Sequence, residues 1–114
     1  MTFNKMSAID LEMDRFFGEI ASIRMDINVY EEWCRKYEAF EYPKWKTKDG
    51  NEIALSDMSD THLANTISML EKIESDSGWL KAMKQERKYR IYKCKIKELQ
   101  NELTFLDEIS SSIF

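Results

Sequence analysis

Residues 7–41 read SAIDLEMDRFFGEIASIRMDINVYEEWCRKYEAFE. The apolar side chains Ile9, Met13, Phe16, Ile20, Ile23, Ile27, Tyr30, Cys34 and Tyr37 recur at alternating steps of four and three. That alternation is a heptad repeat, and it gathers these side chains on one side of an α-helix. A helix over 7–41 would be about 50 Å long. Ser7 is placed to cap its start. Tyr42-Pro43 ends it, because proline restricts the residue before it and carries no N–H. So long an apolar stripe needs a second helix against it, in the same chain or in a second copy.

The far end of the chain repeats the pattern. Over 79–111, Tyr89, Tyr92, Ile96, Leu99, Leu103 and Leu106 alternate in the same way, and Leu80 and Met83 continue the face upstream. Residues 110–114, three serines followed by Ile113 and Phe114, are expected to fray.

Between the two long segments the chain changes character. Residues 44–56 contain Lys48-Asp49-Gly50-Asn51 between short alternating runs at 45–47 and 53–55. Asp-Gly between such runs signals a β-hairpin, since glycine accepts positive φ without steric cost. A lone hairpin is marginal in water, so Trp45, Ile53 and Leu55 are expected to rest on the helices. The serines and aspartates of 56–60 offer N-cap oxygens. A short helix is expected over 59–75, with Leu63, Ile67 and Leu70 as its apolar stripe, stopped by residues 75–78. The predicted fold is mainly all-α, in one domain. Two long heptad helices pack in coiled-coil fashion, with a short third helix and a small hairpin.

Composition agrees with this. The chain has 114 residues, 43% hydrophobic and 33% charged, with only three glycines and one proline, which favours helix and excludes a disordered chain. No run of about 18 apolar residues occurs, and MTFNKMSAIDLEMD contains no apolar signal core, so the protein is expected in the compartment where it is made. Cys34 and Cys94 lie far apart, outside any CxxC, and are expected to be reduced and buried.

The net charge of −4 is unevenly distributed. Residues 79–97 hold eight basic side chains and one acidic one, and 98–114 hold four acidic and no basic ones. The basic block surrounds Tyr89 and Tyr92. Aromatics among cations suit an anionic ligand, a nucleotide or a nucleic acid. The competing reading is that the block lies along the acidic first helix, opposed by Glu19, Asp26, Glu31 and Glu32. The overall negative charge argues against generic duplex binding.

Catalysis has little to work with. His62 is the only histidine, whereas triads, zinc sites and most general-base schemes need it beside a second functional group. Asn65 and Met69 share its helix face. His62 and Asn65 therefore either bond neighbouring backbone or touch a ligand or partner. No GxGxxG, GxxxxGK, GxSxG or calcium-loop pattern occurs. No catalytic residue, metal ligand or cofactor is expected.

Trp45-x-Thr47-Lys48-x-Gly50-x-x-Ile53, then Met58, then His62-Leu63-x-Asn65-x-Ile67-x-x-Leu70-Glu71-Lys72 resembles a short module in small, mostly uncharacterised proteins of bacteriophages and prophages. The match covers roughly residues 45–90 and leaves the long first helix outside. The resemblance implies a phage origin and a bacterial cytoplasm. Small acidic phage proteins often act by binding, so the first expectation is a non-enzymatic protein that occupies a host defence protein. The alternatives are an oligomeric sponge for an anionic nucleotide signal, and a helper of phage assembly or replication. A homo-oligomer is expected, with ligand or partner contacts at His62, Asn65, Trp45, Lys88, Arg90 and Tyr92.

Overall fold

The computed structural model describes residues 8–73 and 78–113. Three α-helices carry most of them: α1 Ala8–Glu38, α2 Asp60–Lys72 and α3 Gly78–Ile113. Strands β1 Trp45–Lys46 and β2 Glu52–Ile53 make one antiparallel hairpin, and a 3-10 turn, Leu55–Asp57, leads into α2. The Ser7 cap and the stop at residues 75–77 lie outside the described residues.

The molecule is a rod of 76 × 29 × 24 Å with a radius of gyration of 21.8 Å. A compact chain of this length would have about 13 Å, so the long helices set the shape. Helices α1 and α3 pack side by side within the chain. Tyr37 stacks on Tyr89, Tyr30 meets Tyr92, and Arg24 reaches Asp107. The α3 partner moves up in number as the α1 residue moves down, so the pair is antiparallel.

Each expected stripe lies at an interface. Ile20, Ile23, Ile27 and Cys34 of α1 are buried, as are Ile96 and Leu99 of α3. Tyr30, Trp33, Tyr89, Tyr92, Leu103 and Leu106 close around them. A second core forms where α2 and the hairpin cover the start of α3. It contains Leu55, Met58, Leu63, Ile67, Leu70, Ala82 and Met83, with Trp45 and Trp79 at its edge.

Local chemistry explains the boundaries. Helix α1 stops at Glu38 as Phe40 N–H turns tightly onto Tyr37 C=O, ahead of Pro43. Gly50 takes φ 83° and closes a three-residue loop in which Thr47 N–H donates to Asn51 C=O at 2.8 Å. Of the candidate caps, Ser59 serves, its Oγ accepting from His62 N–H at 3.1 Å. Leu55 is not in a strand as expected. The chain leaves β2 after Ile53 and coils into the 3-10 turn, which turns Leu55 into the core at 4% exposure. The serines at the end of the chain are helical. Helix α3 continues to Ile113, and the Ser111 and Ser112 hydroxyls donate to the carbonyls of Asp107 and Glu108.

Trp45 is half-buried, edge-on to Trp79 at 5.1 Å between ring centres. Trp45→Ala should therefore cost about 2 kcal/mol, below the range for a fully buried ring. Urea denaturation measures it, and an unchanged midpoint would show that the hairpin rests on the core without supporting it.

Candidate functional site

The two cores meet at a polar junction. Glu86, on α3, is 2% exposed. It follows Met83 by three residues and precedes Tyr89 by three, so it lies on the covered side of the helix. The Tyr37 hydroxyl donates to one of its oxygens, and Arg90 Nε donates to the other at 3.2 Å. The Arg90 guanidinium extends further, to Asp60 Oδ1 at 2.7 Å, Leu55 C=O at 2.9 Å and Met58 C=O at 2.6 Å. One side chain thus ties the 3-10 turn and the start of α2 to α3, while Tyr37 ties in α1. Beside this network, the Tyr42 hydroxyl donates to Gln85 at 2.6 Å.

Tyrosines line the α1 side of the junction. Burial and the bond to Glu86 push the Tyr37 phenol far above its ordinary pKa, and burial raises Tyr42 and Tyr89 as well. Glu38 moves the other way, held below the usual carboxylate range by the Tyr89 hydroxyl and the Lys93 ammonium. The raised phenols have a consequence for stability. Below pH about 10 all are protonated in both states, and their contribution is fully present. Above it the unfolded chain releases protons that the folded chain keeps, so stability falls as pH rises. Phenolate absorbance of these three tyrosines should therefore appear together with loss of helical circular dichroism, and Tyr37→Phe should reduce the alkaline loss. Full ionisation at the free-tyrosine pKa, before any unfolding, would contradict this.

The basic block of 79–97 is paired differently from the expectation. Lys93 bonds Glu38 at 3.1 Å, Lys84 bonds Glu71 of α2 at 3.1 Å, and Arg90 holds Asp60 and Glu86. None of Glu19, Asp26, Glu31 and Glu32 makes an ion pair with it among the described residues. The antiparallel register is the reason. It sets Glu19 and Asp26 beside the acidic half of α3, as the Arg24–Asp107 pair shows, while Glu32 bonds Lys36 on its own helix at 3.4 Å and Glu31 accepts from the Gln100 amide at 3.5 Å although Lys93 and Lys97 lie near it. Lys88 lies over the rings of Trp33, at 4.9 Å, and Tyr92, at 5.3 Å. Lys81, Arg87 and Lys95 make no ion pair among the described residues.

The six residues singled out in the sequence do not form one site. Lys88 and Tyr92 come together with Trp33 on the α1–α3 seam. Arg90 is turned into the junction, its donors taken up by the fold. Trp45 belongs to the hairpin. His62 is half-buried and Asn65 exposed on α2, with no side-chain bond among the described residues. Sequence reasoning missed Tyr37, Asp60 and Glu86. A signal for Glu86 was present: it is the single acid among eight cations and falls on an apolar stripe.

Among the described residues, no three His, Cys, Asp or Glu side chains stand close enough to hold a metal ion. Among the described residues, every buried side-chain nitrogen and oxygen has a partner. Cys34 is buried, with its thiol pKa raised by that burial; Cys94, against the expectation, is exposed, because it stands two residues before Ile96 and so falls on the opposite face of α3; neither is in a disulfide. No helix among the described residues is long and apolar enough to cross a membrane. Among the described residues, several surface clefts could receive something, one of them, of 650 Å³, between Glu31, Glu38, Lys93 and Lys97 on the α1–α3 seam. One of 280 Å³ has tyrosine walls and Glu86 in its lining. One of 610 Å³ lies between Phe40, Tyr42 and Trp79. One of 490 Å³ sits where α2 begins, against α3, lined by Ala64, Arg87, Ile91, Cys94 and Lys95. Comparison with family models, with curated proteins and with solved structures finds no match.

Proposed function

We propose that this is a non-enzymatic binding protein that works by occupying another protein and, following its resemblance to a phage module, that the occupied protein belongs to a bacterial host's defence. One observation carries the reading. Among the described residues, the buried polar side chains all have hydrogen-bond partners within the protein, while large apolar side chains face outward: Met25, Val29, Phe40 and Ile73 are each 65–68% exposed. Groups held in internal bonds are poor reagents, and apolar side chains on a rigid rod suit macromolecular contact. We read the α1–α3 pair as coiled-coil packing, a stiff support for such a surface.

The test is functional relief joined to capture. Expression in bacteria carrying individual defence systems should restore plating of a phage that one system blocks. A component of that system should then co-purify in a fixed ratio and lose activity when the purified protein is added. A panel with no relief and no such component overturns the proposal.

A second reading, a sponge for an anionic nucleotide, is favoured by Lys88 over Trp33 and Tyr92, with Lys81 and Lys95 seven residues to either side. Calorimetric titration with cyclic nucleotides checks it. Binding lost in Lys88→Ala supports the sponge, and absence of heat with every nucleotide removes it.

A further inference from the structure

Helix α3 carries a second heptad face that no part of the described chain covers. Arg87, Ile91, Cys94, Glu98, Asn101 and Phe105 follow one another at steps of four, three, four, three and four, and all are exposed. Ile91 is 58% and Phe105 60% exposed. They stand two heptads apart, about 21 Å along the helix. The 490 Å³ cleft at the start of α2 opens beside Ile91, its apolar floor made by Leu63, Ala64, Ile91 and Cys94.

The charges along this helix are not mixed. Its first part, up to Lys97, holds eight basic side chains and one acidic one, and the remainder from Glu98 holds only acidic ones. Arg87 and Lys95 on one side of Glu98, and Glu102 and Glu108 on the other, make no ion pair among the described residues. A helix with cations in one half and anions in the other complements itself when a copy lies against it head to tail.

We propose that α3 pairs with α3 of a second copy, antiparallel, about a two-fold axis beside Glu98. Phe105 of each copy then fills the cleft beside Ile91 of the other. Placing the axis beside Glu98, midway between Ile91 and Phe105, fixes the register, since each residue then meets the one equally far beyond Glu98. Ile91 meets Phe105, and Lys95 lies against Asn101 and Glu102. The two Glu98 carboxylates approach each other at the axis, with a Lys95 one turn away on each helix. A second copy is the occupant that supplies both an aromatic ring and acidic groups at the matching spacing. The interface is independent of the partner proposed above, because it concerns a face of α3 and a dimer that forms without any other protein.

Sedimentation equilibrium on the purified full chain tests it. The mass should be twice 13.6 kDa. Phe105→Glu should give a monomer with unchanged helical circular dichroism. Lys95→Glu should raise the dissociation constant at least about tenfold, since the pair occurs twice in the dimer. The double variant Lys95→Glu with Glu102→Lys should regain most of that loss. If Phe105→Glu fails to fold, Lys95→Glu still decides, because this lysine is exposed and has no ion pair among the described residues. A monomer at high micromolar concentration overturns the proposal. So does a dimer that withstands both substitutions, or one broken only by Met25→Glu on the outward face of α1.

Discussion

Glu86→Ala lowers the free energy of unfolding by about 3–5 kcal/mol, the range for removing one partner of a buried ion pair. The loss has two physical parts. The half-buried Tyr37 hydroxyl loses its acceptor, and a donor without a partner carries its full desolvation penalty. Arg90 keeps Asp60 and the carbonyls of Leu55 and Met58, but loses the carboxylate that faces it within the fold. The alanine also leaves a void between the two cores, which adds to the cost. Glu86→Gln keeps an acceptor in place and should cost about half as much. Urea unfolding of both variants measures the difference. A loss below about 1 kcal/mol for the alanine variant would mean that water replaces the carboxylate without penalty and that the junction is dispensable.

That junction was the part of the molecule least legible in the sequence, and the reason is geometric. Glu86 and Arg90 stand four residues apart, and such a pair reads as ordinary surface decoration on any helix. Spacing within α3 does put Glu86 on the covered side, but it does not reveal that the 3-10 turn at Leu55–Asp57 passes over α3 and that the Leu55 and Met58 carbonyls hold Arg90. The stripes of α1, α2 and α3 could be read because helical period is local: Ile20, Ile23, Ile27, Leu63, Ile67, Leu70, Ile96 and Leu99 are all buried where the period placed them. Gly50 marked the hairpin turn for an equally local reason. The pairing of the basic block could not be read, since it follows from the antiparallel register of α1 and α3. Either direction satisfies the same heptads. The candidate residues suffered from the same lack. Lys88 and Tyr92 are one turn apart and stay together, whereas Arg90, two residues from each, lies on another face of the same helix.

Met83→Ala is the second large effect, about 2–5 kcal/mol. Met83 is 0% exposed, at the centre of the core formed by the 3-10 turn, α2 and the start of α3. Alanine leaves a cavity that Leu63 and Ile67, each nearly fully buried on α2, fill only by moving the helix. The other core lies further along the rod, between Ile23, Ile27, Ile96 and Leu99, and has no buried residue in common with this one. Met83→Ala and Ile27→Ala should therefore add to within about 0.5 kcal/mol. Met83→Ala and Glu86→Ala should not, because these residues are one turn apart and the same cavity serves both. A double-mutant cycle on each pair separates the two cases. Strong coupling between Met83 and Ile27 would mean that the cores deform as one body. In that event the Tyr37–Glu86–Arg90 junction transmits packing strain along the rod as well as joining its two ends.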